Sequence, residues 1–219
     1  MPYCKFGENQ ETGVEVSDSN VIIDLLQQQH TTTDLTLSPM NRAIAHTIIR
    51  MLEEHTAQVG FYYRYALQIR EFVDVLEIGD RFGNPPAFTQ RWMEKQPSWT
   101  KEKTKIRGLT KHSDEALWKF SFDDLKALED ILGDDKQFFF GSVPTLVDCA
   151  VFGHVSQFLW IPIDFPQQAF LKEQCPNLVR FMEHFRSTYW HDWEECCQKK
   201  PNQKYAKKKE EGIAEEKKE

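Results

Sequence analysis

The sequence predicts a mainly α-helical protein that begins with a β-hairpin. Near the start of the 219-residue chain, two short stretches have the composition and polar alternation of strands. Later apolar residues recur at helical spacing. A capped, apolar segment beginning at Thr145 has the pattern of a buried helix. The order is therefore strand, strand, helix, and then helices alone.

The first elements follow from local signals. Residues 1–6 and 14–16 are the predicted strands, and residues 7–13 form the turn between them. Ser17 or Asp18 caps a helix over residues 19–29, and residues 31–37 form a linker. Ser38 followed by proline starts a long helix that we expect to continue to about residue 76, with a soft point at Gly60.

The second half of the chain begins with a segment that lacks helical periodicity. Residues 77–111 are rich in Gly, Pro and Lys, which predicts a long loop containing at most a short helix. Ser113 caps the next helix and Gly133 ends it. Further helices are predicted over residues 145–160, 167–173 and 177–189. From residue 198 the chain is rich in Lys and Glu, and we expect it to be mobile.

The turn before residue 145 carries the strongest local signal. Three phenylalanines, residues 138–140, are predicted to lie in the core. The Thr145 hydroxyl is expected to accept the backbone N–H of Asp148, and the Asp148 carboxylate to accept that of Thr145. This is a capping box with Asp in place of the usual Glu. From its loss we expect Asp148→Ala to cost about 1–2 kcal/mol.

Three segments resemble glutathione transferases. Residues 141–148 resemble the Gly-x-x-Pro-Thr-x-x-Asp box that opens the core helix of their C-terminal domain. Residues 18–26 resemble the acidic-Ser-x-Ala-Ile-x-x-Tyr-Leu signature that ends their thioredoxin-like half. Residues 175–181 resemble their late Pro-Asn-Leu helix start. The resemblance implies a glutathione transferase C-terminal-like helical bundle, preceded by the hairpin and helix that end a thioredoxin-like α/β domain.

A finer resemblance is to the failed axon connections family, which is related to metaxins and cadmium-responsive proteins. It is carried by residues 42–55, 124–133 and 189–193, and it covers roughly residues 1–195. The resemblance implies a partial thioredoxin-like segment over 1–30 and an all-helical domain over 38–195. Residues 196–219 then form a charged, mobile tail.

The resemblance implies two alternative functions. The first is a non-enzymatic interaction or scaffold role in axon development. The second is that the chain is part of a glutathione transferase or of a glutathione-dependent enzyme of cadmium response. Asp18 and Ser19 resemble the pair that holds the amino-acid end of glutathione, and Pro2 resembles the proline beside its backbone contact. Plain helix capping is the structural alternative for Asp18 and Ser19.

No catalytic residue is assigned. In the family the catalytic Tyr, Ser or Cys lies before the first strand of this chain, so we expect a truncated isoform, a fragment or an incomplete gene model. Glutathione is the one candidate cofactor. Protein partners are unidentified, and a homodimer is one expected arrangement.

Charge and cysteine content exclude several classes of protein. The net charge is −7, and residues 198–219 contribute 8 Lys against 5 Glu, which leaves −10 for the rest. So acidic a body does not favour nucleic-acid binding. Five cysteines without framework spacing are typical of a reducing compartment. No apolar run is long enough to span a membrane. We expect a cytoplasmic protein, with association to a membrane or mitochondrial surface as the alternative by analogy.

Two further clusters are weighed against structural roles. Residues 62–65 (Tyr-Tyr-Arg-Tyr) cannot all face a ligand, and we expect them to pack on one side with tyrosine hydroxyls reaching water. His46 and His55 lie on opposite faces of a straight helix. His184 and His191 share a face, but no zinc spacing accompanies them, so no metal site is predicted.

Overall fold

The computed structural model describes residues 3–6, 14–30, 33–81 and 84–197. The predicted mainly α-helical fold class is confirmed. The elements are β1 (Tyr3–Phe6), β2 (Val14–Ser17), α1 (Ser19–Gln29), α2 (Pro39–Met51), α3 (Ala57–Tyr62), α4 (Ile69–Val75), α5 (Ile78–Arg81), α6 (Pro86–Ile106), α7 (Asp114–Leu132), α8 (Leu146–Leu159), α9 (Pro166–Gln174), α10 (Pro176–Tyr189) and α11 (Trp193–Cys197).

The chain begins with the antiparallel pair β1–β2, in which Tyr3 lies opposite Ser17 and Phe6 opposite Val14. The helix α1 follows at once. Its N-cap is Asp18, whose carboxylate accepts the backbone N–H of Asn20 at 2.9 Å. The bounds of α1 are those that the sequence predicts.

The long helix predicted from Ser38 to about residue 76 is helical over its predicted length, but it is not one regular α-helix. Ser38 does cap α2, by accepting the N–H of Asn41 at 3.1 Å. The helical path then widens into π turns over Leu52–Thr56 and Tyr63–Leu67 and breaks at Gln68, where φ is −117° and ψ is 29°.

Gly60 is not a soft point. It lies inside the regular helix α3, where an added Cβ would be 2.9 Å from the ring of Phe158 on α8. The glycine therefore allows a close approach between two helices.

The predicted loop over residues 77–111 is also wrong, because α6 takes up most of it. The helix begins with Pro86 in its first turn and continues past an internal proline, Pro97. Its buried positions include Thr100 and Thr104, and the Thr104 hydroxyl donates to the Thr100 carbonyl at 2.8 Å. Polar residues thus occupy part of the inner face, which removes the apolar periodicity on which the prediction depended.

The core lies among α2, α7, α8, α9 and α10. Ser113 caps α7, and Gly133 ends it with a positive φ of 69°. Phe138 and Phe139 are buried, as predicted, and Phe140 packs against the same cluster. Glu129 on α7 is buried and accepts the N–H groups of Asn177 (3.1 Å) and Leu178 (2.7 Å), so it caps α10.

The C-terminal part that the structure describes ends with α11. Trp193 packs against Trp160, with ring centroids 4.9 Å apart, whereas Trp190 remains 43% exposed. Among the helices that the structure describes, none has the length and apolar character needed to cross a bilayer. The predicted tail beyond residue 197 lies outside the described residues.

Candidate functional site

A cleft separates α1 from the helices of the bundle. It has two chambers, which share Ile23 of α1, Glu53 and the α8 residues Leu146 and Ala150. The first, here called the polar chamber, has a volume of about 340 Å³ and includes Ser19 and Arg50. The second, here called the apolar chamber, has a volume of about 470 Å³ and includes Arg64.

Of the predicted pair Asp18 and Ser19, only Ser19 is among the residues that line the polar chamber. The Asp18 carboxylate is engaged with the N–H of Asn20. Asp18 has a φ of 82°, a conformation that few residues other than glycine adopt. Pro2, the third predicted glutathione contact, lies outside the described residues. Glutathione binding by these residues stays a prediction.

Arg50 supplies positive charge to the polar chamber. It pairs with Glu53 at 2.9 Å, and its terminal nitrogen lies 3.4 Å from the side-chain oxygen of Asn20. The Arg50 Nε is buried and has no hydrogen-bond partner among the described residues. The chamber therefore combines the Ser19 hydroxyl and the Arg50 guanidinium, which suit a carboxylate, with the carboxylates of Asp24 and Glu53, which suit an ammonium group.

The floor of the cleft is the start of α8. Its capping box is present, and the Asp148 carboxylate accepts both the backbone N–H and the hydroxyl of Thr145 at 2.8 Å. The other Asp148 oxygen accepts the N–H of Phe139 at 2.9 Å. The Thr145 hydroxyl also donates to this carboxylate, a contact that the sequence analysis did not predict. Burial raises the pKa of Asp148, and these three hydrogen bonds oppose the rise.

Asp34 is a second cap for α8 that the sequence analysis missed. Both of its carboxylate oxygens accept the backbone N–H of Leu146, at 3.1 and 3.3 Å. The two residues are 112 positions apart. No local spacing signals such a contact, because it depends on how the linker before α2 folds back onto α8.

The aromatic cluster at residues 62–65 is mostly structural. The Tyr62 hydroxyl donates to Asp114 at 3.0 Å, and the Tyr63 hydroxyl donates to the Asp164 carbonyl at 2.7 Å. We had expected these hydroxyls to reach water, but each of them donates to an oxygen of the protein. Burial raises the pKa of both tyrosines, so both stay neutral near pH 7. Within this cluster, Arg64 is the residue that lines the cleft.

Cys149 is the cysteine that lines the apolar chamber. Desolvation by the surrounding protein raises the pKa of its thiol, and the negative charges of Asp148 and Asp34 raise it further. The thiol is therefore protonated near pH 7, which makes it a poor nucleophile.

The histidines are dispersed. His55 lies 2.7 Å from the Asp124 carboxylate, and His184 lies 2.7 Å from Gln137. Burial lowers the pKa of His154 in the apolar chamber. Within the part of the chain that the structure describes, no three His, Cys, Asp or Glu side chains are grouped as a metal site requires.

Comparisons with known proteins identify the family. A model of the glutathione S-transferase C-terminal domain matches residues 122–185, which include α8 and its cap. The chain is 30% identical over 206 residues to Failed axon connections of Drosophila melanogaster. It is 37% identical over 89 residues to a Metaxin-1 homologue of Caenorhabditis briggsae. The chain belongs to the glutathione transferase-like family of failed axon connections and metaxins.

The matches differ in how much of each protein they cover. The Failed axon connections match covers 85% of this chain but 47% of that protein, and the metaxin match covers 41% and 28%. The chain therefore spans about half the length of Failed axon connections and less of the metaxin. An isoprene-epoxide glutathione S-transferase from a Rhodococcus strain is 25% identical, over 81% of this chain and 74% of that enzyme. No solved structure gives a significant match.

Proposed function

We propose that this glutathione transferase-like protein acts by binding rather than by catalysis, as an interaction or scaffold protein in axon development. One observation carries the proposal: the candidate reactive groups near the cleft are each held in an unreactive state. The Asp148 carboxylate is occupied by three hydrogen bonds, and the Cys149 thiol is kept protonated. The likeness to Failed axon connections supports the axonal context.

Two experiments on the full-length protein test this function. Conjugation of glutathione to 1-chloro-2,4-dinitrobenzene should stay at the background rate. In flies that lack Failed axon connections, the wild-type protein and its Ser19→Ala variant should restore axon connections equally well. Conjugation well above background, together with loss of rescue in Ser19→Ala, would overturn the proposal.

Glutathione binding is the second candidate function, favoured by the polar chamber. The Ser19 hydroxyl and the N-terminus of α1 would meet a carboxylate, and Arg50 would add positive charge. This function requires that immobilised glutathione retain the full-length protein and that Ser19→Ala reduce the retention. Ser187→Ala is the matched control, since its hydroxyl only donates to the His184 carbonyl within α10. Failure of glutathione to retain the wild-type protein would exclude this function.

The division of the chain and its location are further proposals. We propose a thioredoxin-like segment over residues 1–30, a helical domain over 38–195 and a charged tail from 196. Limited proteolysis should then cut first between residues 31 and 37 and after 195. A cytoplasmic location and a homodimer are tested by cell fractionation and analytical ultracentrifugation.

A further inference from the structure

Arg64 is a buried cation with little to neutralise it. It lies in the wide turn Tyr63–Leu67 and is only 7% exposed. One terminal nitrogen donates to the side-chain oxygen of Gln157 at 3.1 Å, and the Nε is buried with no hydrogen-bond partner among the described residues. None of the ion pairs within the described part of the chain includes Arg64.

Aromatic rings surround the guanidinium. Its central carbon lies 4.9 Å from the ring centre of Phe72 and 5.8 Å from those of Tyr65 and Phe165. Such contacts stabilise a desolvated cation by less than the free energy lost when it is taken out of water. Desolvation therefore lowers the pKa of Arg64, although the electrostatic interaction and side-chain hydrogen bond with Tyr65 oppose this. A guanidinium nevertheless stays protonated in proteins, so the buried charge is best stabilised by an anion.

The apolar chamber has room for that anion and for an apolar body attached to it. Its volume of about 470 Å³ lies in the range of small-molecule sites. Phe61, Phe158, Ala57 and Ala150 contribute apolar surface. Gly153 adds space, because a Cβ built there meets no atom within 4 Å.

The other ionisable groups of the chamber do not compete with Arg64 for an anion. Glu53 is paired with Arg50, and the Cys149 thiol is protonated. Burial lowers the pKa of His154 although Glu53 opposes this, so its imidazole is neutral near pH 7. Of the described residues that line the chamber, Arg64 is therefore the cation at neutral pH.

We propose that the apolar chamber binds a small apolar carboxylic acid, whose carboxylate pairs with Arg64 and whose body lies along the α3–α8 wall. A single cation at the wall of a cavity of this size fits a monoanion better than a multiply charged ligand such as a nucleotide. This inference does not depend on the proposed scaffold function, because the chamber would take its ligand whether or not the protein also binds partners.

The test uses the full-length protein and two probes of the same length, dodecanoate and dodecanol, followed by titration calorimetry. We expect dodecanoate to bind the wild type at least about tenfold more tightly than it binds Arg64→Met. Dodecanol should bind these two proteins equally. Gly153→Leu, which fills the chamber but keeps Arg64, should weaken both probes.

Arg186→Met is the matched control. Arg186 also stacks on an aromatic ring, 5.1 Å from the centre of Trp160, but it pairs with Glu183 outside the chamber. Its loss should leave dodecanoate affinity unchanged. Equal dodecanoate affinity in the wild type and Arg64→Met would overturn the proposal, as would no dodecanoate binding to the wild type. The second result would point instead to an acidic side chain of a protein partner as the occupant.

Discussion

The carboxylate of Asp148 accepts a hydrogen bond at 2.9 Å from the backbone N–H of Phe139, nine residues earlier in the chain. The same carboxylate caps α8 through Thr145. One fully buried side chain therefore fixes both the start of the core helix and the end of the turn that leads into it. The two tasks make Asp148 more important than a helix cap alone.

Asp148→Ala should lower the free energy of unfolding by about 2–4 kcal/mol. This exceeds the 1–2 kcal/mol expected from the cap alone, because the N–H groups of Phe139 and Thr145 are left buried without an acceptor. Urea unfolding measures the change. Asp123→Ala is the control, since this carboxylate forms a surface pair with Lys119 and should leave the unfolding midpoint nearly unchanged. Equal midpoints for wild type and Asp148→Ala would contradict the assignment.

Glu129→Ala should destabilise the protein by about 2–3 kcal/mol. Glu129 is 4% exposed and supplies the cap that α10 lacks from its own sequence, because no side chain at its N-cap position, Cys175, does so. Thermal unfolding compares this variant with Asp130→Ala, whose carboxylate is exposed and pairs with Lys126. If the two neighbours had equal effects, the capping role of Glu129 would be refuted.

The comparison of Asp148 with Glu129 shows what the sequence could predict. The pair Thr145–Asp148 is three residues apart, so the geometry of one helical turn brings the two together and the spacing is visible in the chain. Glu129 meets Leu178 across 49 residues, and Asp34 meets Leu146 across 112. Only the packing of separate elements creates those contacts, so no periodicity in the sequence predicts them.

The same distinction between local and long-range contacts explains which helices the sequence predicted correctly. Strong local signals at Ser38, Ser113 and Gly133 gave correct helix ends. The helix α6 was missed because tertiary packing holds a segment with two buried threonines and an internal proline in helical form. Of the candidate site, Ser19 could be predicted from a motif, whereas the burial of Arg64 depends on rings from α4 and from the turn before α9.

Gly60 and Gly153 should respond in opposite ways to alanine. A Cβ at Gly60 would lie 2.9 Å from the buried Phe158 ring, so Gly60→Ala should cost about 1–3 kcal/mol. Gly153 lies in the interior of α8, and a Cβ added there meets no atom within 4 Å. Gly153→Ala should therefore stabilise the protein by up to about 1 kcal/mol, because alanine has the higher helix propensity. Chemical denaturation measures both changes. The further substitution Phe158→Leu should lower the free energy of unfolding less in the Gly60→Ala variant than in the wild type. Equal losses in the two proteins would exclude the proposed clash.

Cys175 should make stability depend on alkaline pH. Burial raises the pKa of this thiol from 9.0 to about 11, and the charge of Glu129 adds to the rise. Between these two values the unfolded chain loses the proton while the folded chain keeps it, so the unfolding free energy falls as pH rises from 9 to 11. The whole effect amounts to about 2–3 kcal/mol. The effect is measured as the difference in unfolding free energy between the wild type and Cys175→Ala at pH 8, 9, 10 and 11. Taking this difference cancels the titration of the Tyr and Lys residues that both proteins share. Below pH 8 the difference should be constant. A difference that stays constant up to pH 11 would show that the folded and unfolded thiols titrate alike.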